Sequence, residues 1–180
     1  DKVLSYPFGS FDMWGGIYAV LFSISTVLSV EEPIKNGFLE KPAESYTKYS
    51  LSNVEFQNEV VGKEIQYSFY ENKKFGPLQR GQSISVTDQG GVWLGYGFIR
   101  KVRLSNTLSF NFDFFPGLYL KNGEVDLGGW LMFRSGLELE YAIDTDLKIS
   151  LGYDHRSSGD IWDYNPGMET IKISFIKTII

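Results

Sequence analysis

The fold is decided by the stretch Leu108-Ser109-Phe110-Asn111-Phe112-Asp113-Phe114, in which apolar and polar side chains alternate without interruption. Successive side chains of a β-strand point to opposite faces, so this stretch predicts a strand with one apolar and one polar face. A period of two recurs around residues 61–69, 92–99 and 131–140. We therefore expect an all-β protein.

Turn signals separate the alternating runs, as in Asp88-Gln89-Gly90-Gly91 and Lys121-Asn122-Gly123-Glu124. Residues of these types favour the tight turns of β-hairpins. The predicted strands are Gly16–Leu28, Val61–Tyr70, Gln82–Thr87, Gly91–Leu104, Thr107–Leu120, Leu127–Ile143, Leu147–Ser157 and Met168–Ile176. Eight strands joined by short links predict an up-and-down antiparallel barrel.

A chain of 180 residues suits a single domain, which we place at residues 1–180. Residues 1–56 would supply the first strand and a long loop or extension, since the segment Glu31–Phe56 is polar, contains proline and is weakly patterned. Residues 57–180 would form the rest of the barrel.

Composition excludes several classes of function. The chain has no cysteine, so it can form neither disulfides nor thiolate metal sites. Its net charge of −5 provides no basic field for binding nucleic acid. The longest nearly uncharged apolar stretch, Ile17–Val30, is too short to span a bilayer as a helix.

The orientation of the apolar face separates two kinds of barrel. A soluble lipocalin-like barrel keeps its apolar face inside, whereas a membrane barrel turns it outward. Here several strands reach the length of about ten residues that crosses a bilayer at a tilt. The polar face combines small residues with the opposite charges of Arg134, Glu138 and Glu140, which suit a narrow, filled lumen. We interpret the chain as an eight-stranded transmembrane β-barrel.

A base, a hydroxyl and a carboxylate lie close together near the C-terminus. His155 is the only histidine of the chain, Ser157 follows two residues later, and Glu169 lies near the start of the next predicted strand. Stepping by twos from Tyr153 reaches His155 and Ser157, and stepping back from Ile171 reaches Glu169. All three therefore lie on the apolar face, and the hairpin makes them neighbours. Polar groups are costly on a lipid-facing surface unless they have a function.

The depth of this cluster follows from the topology. If both termini lie on the periplasmic side, as is usual in bacterial barrels, the strand that carries His155 runs outward. The loop 158–167 is then extracellular, and the cluster lies at the outer leaflet. In a Gram-negative outer membrane that leaflet consists of lipopolysaccharide.

Several motifs together resemble a known family, the PagL-type lipid A deacylases, also grouped as outer-membrane acyloxyacyl-hydrolase-like proteins. The similarity extends from about residue 61 to residue 175. The motifs that carry it are His155-x-Ser157, Asn165-Pro166-Gly167, Glu169, Phe115-Pro116-Gly117-Leu118-Tyr119 and the stretch Phe133–Tyr141.

The resemblance implies an eight-stranded barrel of the Gram-negative outer membrane that hydrolyses the ester-linked acyl chain at the 3-position of lipid A. Ser157 would be the nucleophile, His155 the general base and Glu169 the residue that orients the histidine. The substrate would be lipopolysaccharide in the outer leaflet, among membrane lipid. No metal or cofactor is implied.

The oxyanion hole is also implied by the resemblance, with the Asn165 side chain as one donor and the backbone near Gly159 and Asp160 as the other. The family usually has asparagine directly after the serine, whereas this chain has Ser158. Trp162 and Tyr164 would lie at the membrane interface beside the sugar of the substrate.

Two other functions stay open at the level of sequence. One is a non-catalytic outer-membrane barrel with a structural or adhesion role. The other is a soluble lipocalin-like lipid carrier, which would enclose the triad in its lumen. The sequence also leaves open the accepted acyl-chain length and the choice between a monomer and a homodimer.

Overall fold

The structure, a computed structural model, describes residues 40–179, and these residues form β-strands joined by turns and loops. The strands are β1 (Glu40–Pro42), β2 (Ser45–Phe56), β3 (Glu59–Phe75), β4 (Leu78–Thr87), β5 (Val92–Arg103), β6 (Leu108–Leu120), β7 (Leu131–Ala142), β8 (Leu147–Ser157) and β9 (Met168–Ile179). Within this part of the chain, no helix is long and apolar enough to cross a membrane.

Strands β2 to β9 form a closed barrel in which every pairing is antiparallel. Each strand pairs with its neighbours in sequence, and β2 pairs with β9 to close the ring. The short β1 pairs with the end of β3, where Lys41 lies opposite Lys74. The prediction of an eight-stranded up-and-down barrel is confirmed.

The position of the first barrel strand was predicted wrongly. The expected loop or extension Glu31–Phe56 contains β2, and the expected strand Gly16–Leu28 lies outside the described residues. The period of two in β2 is hard to recognise because both of its faces carry polar side chains. Lys48 and Ser52 face the lumen, while Asn53 faces outward among apolar neighbours.

The apolar side chains face outward and the polar ones inward. Leu51, Leu151 and Ile173 are 60%, 59% and 58% exposed, whereas the adjacent Ser50 and Ser174 are buried in the lumen. A lipocalin-like carrier needs the opposite arrangement around an apolar cavity. That alternative is therefore wrong, and the barrel has the surface of a membrane-spanning protein.

Ion pairs fill the middle of the lumen. Arg134 lies 2.8 Å from Glu64 and 2.6 Å from Asp154, and Arg156 also contacts Glu64, at 2.5 Å. Further pairs join Lys48 to Glu138 at 2.7 Å and Lys172 to Asp154 at 2.8 Å. These side chains are almost completely buried, so each charge is neutralised by partners from other strands. The predicted lumen ion pairs are confirmed.

Trp93 fills the lumen beside these charges. Its ring lies 5.4 Å from the guanidinium of Arg134 and 5.7 Å from that of Arg156. The ring fits because Gly95 and Gly117 have no side chains, since a Cβ atom at either position would approach it to 2.2 Å or 2.7 Å. Trp93 is therefore a packing residue of the lumen and not part of an interfacial girdle.

The two ends of the barrel differ in their loops. We call the end that carries the loops 57–58, 88–91, 121–130 and 158–167 the site end. The opposite end carries the shorter turns 76–77, 104–107 and 143–146, together with both ends of the described chain. The two long loops therefore lie together, next to the last residues of β8 and the first residues of β9.

Replacing Arg134 by alanine should destabilise the barrel strongly, because it leaves Glu64 and Asp154 with fewer buried partners. Removing one member of a buried ion pair costs about 3–5 kcal/mol of the free energy of unfolding. Urea unfolding in lipid vesicles, followed by tryptophan fluorescence, measures the change. Arg103→Ala is the control, since Arg103 is exposed at the end of β5. Equal unfolding midpoints for the two variants would contradict a stabilising lumen network.

Candidate active site

A row of side chains crosses the outward face near the site end. His155 on β8 pairs with Glu169 on β9 and, on its other side, with Ser135 on β7. The row continues to Glu55 on β2 beyond Glu169, and to Phe114 on β6 beyond Ser135. We call these five residues the His155 row. Four of them are polar, on a face that is mostly apolar.

The imidazole of His155 is held by a carboxylate. Its Nδ1 lies 3.1 Å from Oε1 of Glu169, a hydrogen-bond distance, and the His155 residue is only 6% exposed. A hydrogen bond at Nδ1 selects the ring tautomer and fixes the ring orientation. Because Nδ1 faces Glu169, Nε2 points away from β9. The structure thus brings together His155 and Glu169, as the sequence predicted.

Ser157 is the next residue on the outward face of β8 after His155. Two residues along a strand span about 7 Å, which side chains leaning toward each other can bridge. Ser157 is buried and lies opposite Phe133 of β7. The base, the carboxylate and the hydroxyl therefore share one face, at the end of the barrel that carries the long loops.

Gly167 covers the imidazole. The residue has a φ of +72°, and a Cβ atom there would lie 2.8 Å from Cε1 of His155. Only glycine combines this backbone conformation with so close an approach. The Asn165-Pro166-Gly167 segment thus returns the chain to β9 and also shields the histidine ring.

Asn165 braces the loop 158–167 from within. Its Oδ1 accepts a hydrogen bond from the backbone N–H of Ser158 at 2.8 Å, and its Nδ2 donates to Oδ1 of Asp160 at 3.0 Å. Gly159 and Asp160 both have positive φ, of 60° and 61°. The three predicted oxyanion residues therefore lie close together in the loop that follows Ser157. Their role in an oxyanion hole stays a prediction.

Trp162 and Tyr164, in the loop 158–167, pack against the loop 121–130. A Cβ atom on Gly129 would lie 2.2 Å from Nε1 of Trp162, and one on Gly128 would lie 1.7 Å from the carbonyl oxygen of Tyr164. The ring centre of Trp162 lies 6.2 Å from that of Trp130. These contacts join the two long loops at the site end of the barrel. Substrate binding by Trp162 and Tyr164 stays a prediction.

Two carboxyl groups in the neighbouring loop have shifted pKa values. Burial raises the pKa of Glu124, while the hydrogen bond from Lys121 lowers the pKa of Asp126. Asp126 is therefore charged at neutral pH. Among residues 40–179, no group of histidine, aspartate and glutamate side chains is arranged to hold a metal ion.

Two residues of the site escaped the sequence analysis. Ser135 belongs to the outward run Phe133, Ser135, Leu137, where a single hydroxyl interrupts the apolar pattern. This interruption is the sequence feature that could have identified Ser135 as part of the site. Gly167 was noted only as part of the Asn165-Pro166-Gly167 motif, and its contact with His155 depends on a positive φ that sequence spacing does not reveal.

A known family matches most of the described chain. The family described as lipid A 3-O-deacylase (PagL) matches residues 46–177. This match begins at residue 46, near the start of β2. The resemblance noted in the sequence motifs began only at about residue 61. No curated protein matches the chain in sequence.

Solved structures share the fold at low sequence identity. The crystal structure of the outer membrane enzyme PagL has a TM-score of 0.59 at 11% identity, over 74% of this chain and 99% of that chain. Neisserial surface protein A gives 0.56 at 10% identity, over 78% and 99%. A de novo designed transmembrane β-barrel gives 0.58 at 10% identity, over 77% and 98%. At such identities the likeness shows the fold alone.

Replacing Gly167 by alanine should displace the imidazole and slow any reaction of Ser157. A misplacement of about 1 Å can cost on the order of a hundredfold in rate. Labelling of Ser157 by a fluorophosphonate, followed by intact-protein mass spectrometry, measures this rate. Gly123→Ala is the matched control, since Gly123 has a φ of 98° but its nearest potential contact is the Gln89 carbonyl at 3.5 Å. Equal labelling of the two variants would contradict the contact.

Proposed function

Since this chain belongs to the PagL family of lipid A 3-O-deacylases, we propose that it is a serine esterase that removes the 3-O-linked acyl chain of lipid A. The observation that carries the proposal is the His155–Glu169 hydrogen bond beside Ser157 on the lipid-facing surface. The fold alone does not decide the function, because Neisserial surface protein A and a designed barrel share it.

The proposed reaction begins at Ser157. A serine hydroxyl is a weak nucleophile, so an adjacent base must take its proton as it attacks. The proton passes from Oγ of Ser157 to Nε2 of His155 while Oγ bonds to the ester carbonyl carbon. Glu169 stabilises the imidazolium that forms and keeps Nε2 directed away from β9.

Collapse of the tetrahedral intermediate separates the sugar from the acyl chain. The bond between the carbonyl carbon and the sugar oxygen breaks, and that oxygen takes the proton from Nε2 of His155. Water then attacks the acyl group on Ser157, again with His155 as the base, and releases a free fatty acid. No step requires a redox change.

The negative charge of the intermediate needs donors near Ser157. The turn after β8 offers the backbone N–H groups of Gly159 and Asp160 and the side-chain amide of Asn165. An amide nitrogen carries two hydrogens, and the bond from Asn165 to Asp160 uses one of them. The second can stabilise an oxyanion in addition to bracing the loop.

The proposed location is the outer membrane of a Gram-negative cell, with the site end facing outward. Both ends of the described chain lie at the opposite end of the barrel, which fits the periplasmic side. Lipopolysaccharide in the outer leaflet then meets the site from the side. Its acyl chains lie along the apolar outward face, and its sugars lie at the level of Trp162 and Tyr164.

Replacing Ser157 by alanine should abolish deacylation, because it removes the hydroxyl that attacks the ester carbonyl carbon. Expression in a Gram-negative host, followed by mass spectrometry of lipid A, measures the loss of one ester-linked acyl chain. The control is Ser45→Ala, which removes a serine at the opposite end of the barrel. Continued deacylation by the Ser157 variant would rule out the triad, and unmodified lipid A with the wild type would rule out the function.

Asn165 should matter for the rate beyond its role as a brace. We expect Asn165→Asp combined with Asp160→Asn to preserve the bracing pattern, since the new carboxylate accepts from both Ser158 and residue 160. The same change removes the amide donor, and loss of one oxyanion donor lowers kcat on the order of a hundredfold. A lipid A deacylation assay with purified protein measures kcat. Wild-type kcat in the double variant would show that Asn165 only braces the loop.

A further inference from the structure

The second step of an ester hydrolysis needs water, but the surroundings of Ser157 on the outward face are apolar. Ser157 lies opposite Phe133, whose ring stacks on that of Phe114 with the ring centres 5.6 Å apart. The hydrocarbon of a bilayer contains almost no water, so an acyl group on Ser157 meets little water from the lipid side. The inner side of the barrel wall offers a different source.

The barrel wall formed by β8 ends at Ser157. The last pairing of β8 with β7 joins Ser157 to Phe133, and its pairing with β9 ends one residue earlier, at Arg156. The next residue, Ser158, donates its backbone N–H to the side chain of Asn165 and not to a strand. Beyond Ser157, therefore, no strand pairing of β8 among the described residues separates the lumen from the outward face.

The side chain of Ser158 points into the lumen. Ser157 before it faces outward, and a Cβ atom on Gly159 after it would lie 3.4 Å from the ring of Phe133, which is also on the outward face. Because side chains alternate along an extended chain, Ser158 faces the opposite way. It is 0% exposed, as expected for a residue inside the barrel.

Polar atoms without partners are found in this part of the lumen. Oγ of Ser158, Nε of Arg156, Nε1 of Trp93 and Oε1 of Glu124 are buried and have no hydrogen-bond partner within residues 40–179. We call these four residues the mouth cluster. The guanidinium of Arg156 lies 5.7 Å from the ring centre of Trp93 and 5.6 Å from that of Tyr119. The hydroxyl of Tyr119 in turn lies 3.1 Å from Oε2 of Glu124.

The loop 121–130 covers the mouth cluster. Glu124 is 9% exposed and Leu127 is 0% exposed, and Val125 packs against the buried core. Buried polar groups in proteins almost always have hydrogen-bond partners, and ordered water supplies those that the protein does not. The mouth cluster contains both donors and acceptors, which is what a group of connected water molecules requires. Its chemistry therefore fits bound water.

We propose that the mouth cluster holds the water that hydrolyses the acyl-enzyme, and that Ser158 is the positioning residue that passes this water to Ser157. The inference rests on the proposed esterase function and deepens it, because it assigns a source to the water of the second step. Consecutive Cα atoms are about 3.8 Å apart, so water bound to Ser158 has only the end of the barrel wall to cross.

The step consumes one water molecule. Its oxygen bonds to the carbonyl carbon of the acyl group while Nε2 of His155 takes one of its protons. The bond from that carbon to Oγ of Ser157 then breaks, and the proton returns from Nε2 to Oγ. The products are a carboxylic acid and the free serine, and another water from the mouth cluster replaces the first at Ser158.

The experiment separates the formation of the acyl-enzyme from its hydrolysis. The purified protein in lipid nanodiscs receives a 4-nitrophenyl ester of a long-chain fatty acid. Release of nitrophenol in the first turnover measures the acylation of Ser157. Because nitrophenol leaves readily, the later steady rate measures hydrolysis of the acyl-enzyme, and intact-protein mass spectrometry measures the acyl group that remains on Ser157.

Ser158→Val and Ser158→Thr form a matched pair, because the two new side chains have the same shape and only threonine has a hydroxyl. Relative to Ser158→Thr, Ser158→Val should lower the steady rate about three- to tenfold, the usual value of one hydrogen bond. Its first-turnover rate should be unchanged, so acylated Ser157 should accumulate. Ser174→Ala should behave as the wild type, since Ser174 is a lumen serine of equal burial whose hydroxyl lies 2.9 Å from that of Ser50.

Two results would overturn the inference. Equal steady rates in Ser158→Val and Ser158→Thr would show that the hydroxyl supplies no water. A parallel fall of the first-turnover rate and the steady rate in Ser158→Val would show that the hydroxyl supports the triad instead.

Failure of the inference can be distinguished from failure of the proposed function. If the wild type acylates Ser157 and both Ser158 variants hydrolyse the adduct equally fast, the esterase function stands and the role of Ser158 is rejected. If the wild type releases nitrophenol no faster than Ser157→Ala, the function is rejected and the inference falls with it.

Discussion

The whole structure depends on the neutralisation of charge inside the barrel. Arg134, Arg156 and Lys172 come from the consecutive strands β7, β8 and β9. Arg134 and Arg156 meet Glu64 of β3 across the lumen, and Arg134 and Lys172 also contact Asp154 of β8. With these groups satisfied inside, the outward face can be almost entirely apolar. A polar residue on that face is then conspicuous. The His155 row is unusual because most other polar side chains of the membrane-spanning strands face the lumen.

Regular strand pairing positions most of the site, and a loop completes it. The pairings of β7 with β8 and of β8 with β9 set Ser135, His155 and Glu169 side by side. Groups held by paired strands have little freedom, which suits chemistry that depends on orientation. The loop 158–167 adds Gly167 over the imidazole and the turn at Asn165. Gly128 and Gly129 of the loop 121–130 pack closely against the loop 158–167, at the backbone of Tyr164 and the ring of Trp162.

Local alternation predicted the barrel, the apolar outward face and the shared face of His155, Ser157 and Glu169. These features depend only on the period of a strand and on the pairing within one hairpin. β2 was missed because Ser50 and Ser52 face the lumen while Asn53 faces outward, so both faces carry polar groups. Its residues alternate between buried and exposed, but they do not alternate between polar and apolar. The contact of Gly167 with His155 depends on a backbone angle, and the bond from Ser158 to Asn165 depends on the fold of a loop. Neither can be derived from residue spacing.

The outward position of the His155 row means that the proposed enzyme meets its substrate in two dimensions. A site that opened to water would depend on the concentration of dissolved ester, which for a lipid is negligible. A site on the side of the barrel depends instead on the surface density of lipid in one leaflet and on lateral diffusion within it. The deacylated lipid and the free fatty acid would both be released in that leaflet, so turnover would change the composition of the membrane that surrounds the enzyme. Catalysis and the physical state of the bilayer are thereby coupled without any dedicated regulatory element.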